Sequence, residues 1–278
     1  MGADNMNMNM NMNMNMNMGV GIASTSVAPS RVRFNTADYR KLTVGVANIG
    51  IWPAPAFPVN WDPDLRSYFY LNEFVVTNVG WQAALTAVLG GSPVASQATL
   101  EAQLRLMLDV APDREDRFAE IIDQHDAEGA ISYFLGMLAI DPARNPMTYL
   151  LVRAARRIGE HVVMVLKAAT SVPRPSQTCP AMVPMIDPPV TSSFPSGHSL
   201  QARLIARCLR FARPGAFRAT TLDYLADRIG KNRIIAGLHY PLDHAAGVNA
   251  ADTLFDNYLS NAGRAPQFVA LLNAARGE

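Results

Sequence analysis

The chain has 278 residues, with 24 Lys and Arg against 23 Asp and Glu, a formal charge of +1 and a pI near 7.8. That balance excludes the bulk basic excess that draws a protein to nucleic acid or to acidic membranes, although a small anion needs only a local pocket. A hydrophobic content of 49% and only two cysteines, Cys179 and Cys208, fit a globular chain rather than a disulfide framework.

Methionine and asparagine alternate almost without interruption up to Met18, a low-complexity tract with no reason to join a core. Residues 1–30 are therefore expected to be a disordered tail, with Met18 as an alternative start. No cationic, apolar, small-residue run marks a secretory signal there, so a soluble, cytoplasmic protein is the expectation. Residues 31–278 are expected to form a single all-helical domain. Its first part, Arg31 to Pro63, carries Pro53, Pro55, Pro58 and Pro63 and predicts an extended wrapping arm with Trp52 and Trp61 as packing anchors.

A long helix is predicted from Asp64 to Leu89, lying centrally, with Leu65, Phe69, Leu71, Phe74, Val75, Trp81, Leu85 and Val88 giving broad apolar coverage. The uncharged run Phe74 to Leu100 has the length of a membrane span, but Thr77, Asn78, Gln82 and Thr86 interrupt it and Gly90-Gly91-Ser92-Pro93 breaks it. No transmembrane span is expected. Further helices are predicted over Ser96–Asp109, Asp113–His125, Gly129–Ile140 and Met147–Ala169, the last delivering Lys167 at its end. Pro173 and Pro175 force extended backbone at Arg174, and the proline-rich loop Ser176–Phe194 is expected to shape a pocket mouth. Helices over Ser199–Phe211, Phe217–Ile229, Leu242–Leu259 and Pro266–Ala275 complete the chain. No stretch has a strand pattern.

The residues best suited to chemistry fall between Lys167 and Asp243, in three groups. Lys167 precedes Arg174-Pro175 by six intervening residues, Pro195-Ser196-Gly197-His198 follows, and Arg233 is then separated by five residues from His239, which is separated by three from Asp243. Two guanidinium forks and one mobile ammonium suit a doubly charged oxyanion. Ser196 and Gly197 stand at a predicted helix start, where free backbone N–H groups and the positive dipole end attract oxygens and glycine permits close approach. Asp243, four residues beyond His239, can hold one ring nitrogen and leave the other free to attack, which makes His239 the nucleophile. His198, without such a carboxylate, is read as the acid that protonates a leaving oxygen and then activates water. His125, His161 and His244 are assigned structural or solvated roles.

This ordered set resembles the signature of the type-2 phosphatidic acid phosphatase and vanadium haloperoxidase superfamily, Lys-x6-Arg-Pro, Pro-Ser-Gly-His and Ser-Arg-x5-His-x3-Asp, over roughly a third of the chain. The one departure is Asn232 in place of the serine; an asparagine can still donate a hydrogen bond. The resemblance implies an all-helical bundle with the site at one end. It also implies that Lys167, Arg174, Ser196, Gly197 and Arg233 hold phosphate or vanadate oxygens, that His198 is acid or base, and that His239 is phosphorylated or binds vanadium.

Two chemistries of that superfamily stay open. In one, a soluble phosphohydrolase cleaves a small phosphomonoester through phosphohistidine with no cofactor. In the other, vanadate at His239 is the cofactor and hydrogen peroxide oxidises a halide. The stretch His239-Tyr240-Pro241-Leu242-Asp243 resembles the phosphatase branch, which therefore leads. A non-catalytic anion-binding helical protein is the third reading, and a homo-oligomer is left open. A serine hydrolase is disfavoured because Phe194-Pro195-Ser196-Gly197-His198 is not a Gly-x-Ser-x-Gly elbow. A divalent metal near His239, Asp243 and His244 would be opposed by Lys167, Arg174 and Arg233.

Overall fold

The computed structural model describes residues 61–215 and 219–278, and among them every regular element is helical. The expected tail and almost all of the wrapping arm, Trp52 included, lie outside the described residues, as does Phe217. Among the described residues, ten helices longer than a single turn follow in order: α1 Pro63–Thr77, α2 Trp81–Ala87, α3 Gln97–Asp109, α4 Arg114–Asp123, α5 Ala127–Met137, α6 Pro146–Thr170, α7 Gly197–Ala212, α8 Ala219–Ile235, α9 Pro241–Leu254 and α10 Pro266–Arg276.

Two helices organise the bundle. In α6, Leu150, Leu151, Ala154, Ile158, Val162 and Leu166 recur at intervals of three and four and are fully buried, so one face runs through the core for the whole length. In α7 the stripe is Leu200, Leu204, Ile205, Cys208 and Leu209. Each leucine, isoleucine or valine among them contributes about 1.5–3 kcal/mol on burial. Helix α7 packs on α6, α8 and α9, and α6 packs on α1, α7 and α10. Helix α7, which opens with the second motif, thus packs on the helices that carry parts of the other two.

The single helix expected over Asp64–Leu89 is two. Asn78 turns its amide back to the carbonyl of Phe74, 2.9 Å, and across to that of Arg264, 3.1 Å. Gly80 then takes φ +86°, which a side-chain-bearing residue resists, and α2 starts in a new direction. Phe74, Trp81 and Leu85 are buried as a central helix requires, whereas Leu65, Phe69 and Val75 are exposed.

Helix α8 continues six residues beyond the expected end at Ile229, so Arg233 stands on its last turn. Helix α9 stops at Leu254 and widens into a π turn, Phe255–Leu259. Both cysteines are free thiols. Among the described residues no helix is long and apolar enough to cross a membrane.

Candidate active site

The three motifs come together where α6 ends, α7 begins and α8 turns into α9. Lys167 lies on the last turn of α6, in a buried position. Its ammonium donates to the carbonyl of Ser192 and, at 3.1 Å, to that of Ser193. Arg174 follows in extended backbone, φ −72° and ψ 157°, before the single helical turn Pro175–Thr178. The prolines on either side account for that conformation. Its guanidinium donates to the Thr191 carbonyl at 3.1 Å, the Thr191 hydroxyl at 3.2 Å and the Leu238 carbonyl at 3.0 Å.

Arg174 Nη1 also lies 3.1 Å from His239 Nε2, while His239 Nδ1 lies 3.0 Å from Asp243 Oδ2. A guanidinium only donates, so Nε2 presents its lone pair to Arg174 and the ring proton sits on Nδ1, directed at the carboxylate. Burial, reinforced by Lys167, Arg174 and Arg233, pushes the imidazole well below its ordinary pKa of 6.5 and keeps it neutral. Asp243 Oδ2 also accepts from Ser193 Oγ at 2.5 Å and from the Tyr240 N–H at 3.0 Å. Burial raises this carboxyl to about 6 against the pull of those hydrogen bonds. Its other oxygen is buried without a partner among the described residues.

Arg233 is 1% exposed, and its Nη2 donates to the Ile121 carbonyl at 2.9 Å. Its Nε and Nη1 are buried with no acceptor among the described residues. None of Lys167, Arg174 and Arg233 forms a carboxylate ion pair among those residues, and burial lowers their pKa values to about 7, about 10 and about 10. Three buried cations held mainly by carbonyls make a site that a dianion would compensate.

Ser196 caps α7, its hydroxyl accepting from the Ser199 N–H at 3.4 Å and from the Ser199 hydroxyl at 2.9 Å. Its own N–H donates to the Asp243 carbonyl at 2.9 Å, which ties the second motif to the third. Gly197 opens the helix, and a Cβ there would meet only ordinary contacts with Val163. Gly197 and His198 are half-buried, while the other site residues are buried, so access is beside this helix start. His198 Nε2 lies 3.0 Å from the Gln124 carbonyl, and burial, aided by Arg233 and His239, lowers its pKa to about 3.

All eight residues singled out from the sequence are therefore close in space or act electrostatically on one another. Their donors are not all free, however: Lys167 and Arg174 are bound to backbone carbonyls, and Ser196 is occupied as a helix cap. Sequence reasoning missed Thr191, which holds Arg174, and Ser193, which holds Asp243. Serines and threonines before the second motif give no spacing signal, and only the fold brings them to these partners. It also missed His244 as a bridge: its Nδ1 lies 2.9 Å from Ser199 Oγ and its Nε2 lies 3.1 Å from Asp227 Oδ1. His125 is exposed and His161 faces the Trp81 ring at 5.8 Å.

The family model described as PAP2 superfamily matches residues 146–251, the span that holds all three motifs. That match spans less than half of the chain and is a likeness to the PAP2 superfamily. No curated protein matches it. Among solved structures it is similar to the first transmembrane PAP2 type phosphatidylglycerolphosphate phosphatase from Bacillus subtilis, at 20% identity and a TM-score of 0.36, covering 72% of this chain and 92% of that chain.

Proposed function

We propose that the protein is a phosphohydrolase that cleaves a small phosphomonoester through a phosphohistidine on His239. The observation that carries this reading is Arg233, a buried cation with two donor groups lacking an acceptor among the described residues, beside a neutral histidine whose Nδ1–H is held by a buried carboxylate. A phosphoryl group placed between Arg233 and the start of α7 would take those donors and the N-terminal N–H groups of that helix. Lys167 and Arg174 would exchange backbone carbonyls for phosphate oxygens.

His239 Nε2 then attacks phosphorus as the ester P–O bond breaks, and the leaving oxygen takes a proton from His198. Water, giving a proton back to His198, attacks the phosphohistidine; the P–N bond breaks and phosphate leaves. His198 is neutral at neutral pH, chiefly through burial, with Arg233 adding to the effect. A bound dianion reverses that field and restores its affinity for a proton. Asp243 keeps the proton of His239 on Nδ1 and stabilises the positive charge that develops on the ring.

The same donors suit vanadate with His239 Nε2 as its protein ligand, which would supply halide oxidation by peroxide. A paired assay separates the two chemistries: p-nitrophenyl phosphate hydrolysis with and without orthovanadate, and bromination of a phenol dye by peroxide after vanadate loading. Hydrolysis inhibited by vanadate supports the phosphohydrolase. Bromination that depends on vanadate, without hydrolysis, replaces it with the peroxidase.

A further inference from the structure

The last turn of α4 carries none of the three motifs and lies outside the span that matches the family, yet two site residues end on it. Arg233 Nη2 donates to the Ile121 carbonyl at 2.9 Å, and His198 Nε2 lies 3.0 Å from the Gln124 carbonyl. These are unpaired carbonyls of a helix C-terminus, the partially negative end, and they suit a guanidinium and an imidazole N–H. Because the Gln124 carbonyl can only accept, it places a proton on His198 Nε2, and the Asp126 backbone is a second hydrogen-bond partner of the same ring.

The side chain of Gln124 is itself held. Gln124 is fully buried, with its Nε2 3.2 Å from Glu120 Oε1 and its Oε1 2.9 Å from Asn232 Nδ2. Glu120 accepts both Nε and Nη2 of Arg228, at 2.8 and 2.7 Å. Burial works against the Glu120 carboxylate, but hydrogen bonds led by Arg228 hold it below its ordinary range, so it is an acceptor only. That fixes the sense of the whole chain: Gln124 must turn its NH2 to Glu120 and its oxygen to residue 232, and residue 232 must donate. Asn232, the residue that replaces the serine of the family pattern, does so from a fully buried position.

We propose that Gln124 is a positioning residue that sets the tautomer and orientation of His198, and that Asn232 stands in place of serine because its longer amide reaches Gln124. The inference rests on His198 being the acid and base of the reaction, and it makes the end of α4 part of the working site.

The test compares Asn232→Asp, which keeps the shape and removes the donor, with Gln124→Met, which keeps the volume and removes both polar ends. Two readouts are taken: steady-state kinetics on p-nitrophenyl phosphate, and the imidazole 15N spectrum of His198 in the full chain. Each variant is expected to lower kcat about tenfold, the scale of one hydrogen bond, with KM within about twofold. The double variant should lose no more than either alone. The His198 signals should move from a fixed Nε2–H tautomer to a mixture. Asn232→Ser, too short to reach Gln124, replaces the aspartate variant if that one does not fold and is expected to behave alike. Folded variants with the parental kcat and the parental tautomer signature would overturn the proposal, as would a loss shared between kcat and KM with that signature unchanged. If the parent hydrolyses no phosphomonoester, the phosphohydrolase reading fails, and the 15N spectrum still decides the positioning role.

Discussion

Arg174 Nη1 lies 3.1 Å from His239 Nε2, the atom that attacks phosphorus in the proposed mechanism. The Nε2 lone pair is thus directed at a cation which, in that mechanism, moves onto a phosphate oxygen while staying beside the ring. Burial, with Lys167 and Arg174, keeps His239 neutral, and the contact keeps its proton on Nδ1.

Arg174→Ala should lower kcat/KM for p-nitrophenyl phosphate by about 100-fold to 1000-fold, the scale of one charged donor lost from a transition state. Arg174 is also one of the charges that depress the pKa of His239, so that pKa should rise in the variant, read by imidazole NMR. An unchanged rate would mean that the guanidinium holds the fold alone.

Asp243 has its carboxyl raised to about 6 by burial. It orients His239 only while it is an anion, so kcat/KM should fall on the acid side with a midpoint near that value. Asp243→Asn should show a lower plateau without that limb, and should weaken turnover rather than end it. A profile with the same acid limb in the variant would assign the titration to another group.

Stability should fall as the medium is acidified below the ordinary histidine pKa of 6.5. His198 and His239 have folded-state pKa values depressed below their unfolded ones, so the unfolded chain takes up protons first and is favoured as pH drops. Asp243 has the opposite sign: its folded pKa is raised from 3.8 to about 6, so its protonation in that window favours the folded state. Two histidines outweigh one carboxyl, and the net effect is destabilising. Tm measured between about pH 7 and pH 4 should decline, and His198→Gln should flatten that decline.

Gly247 permits α9 to pass against the start of α7. A Cβ there would lie 2.6 Å from the Ser196 carbonyl oxygen and 3.1 Å from the Leu200 nitrogen, both backbone atoms. Gly247→Ala should therefore push the third motif away from the second, lowering both Tm and kcat, although residue 247 touches no substrate. An overpacked position of this kind typically costs about 1–3 kcal/mol. A variant with parental Tm would show that the two helices can separate freely.

Much of this arrangement was legible in the chain. Leu150 to Leu166 and Leu200 to Leu209 follow the helical period so closely that α6 and α7 can be drawn from them, and the spacings from Lys167 to Asp243 single out residues that the fold brings together. The break at Gly80 was not legible, because glycine within an apolar run gives no sign of its φ until Asn78 finds its distant carbonyl on Arg264. The extension of α8 past Ile229 was hidden by Gly230 and by polar Lys231 and Asn232, whose helical state depends on partners across the bundle. Gln124 and Ser193 could not be found at all, since one uses a backbone carbonyl and the other a hydroxyl with no spacing rule.

The central claim is that phosphorus becomes bonded to His239, and rapid quenching of a reaction with 32P-labelled phosphomonoester under alkaline conditions tests it most directly. The account predicts acid-labile, alkali-stable label on the peptide containing His239, accumulating in His198→Gln, where its hydrolysis is slowed, and absent from His239→Ala. Steady hydrolysis in His239→Ala, or turnover of the parent with no label on that peptide, would contradict it.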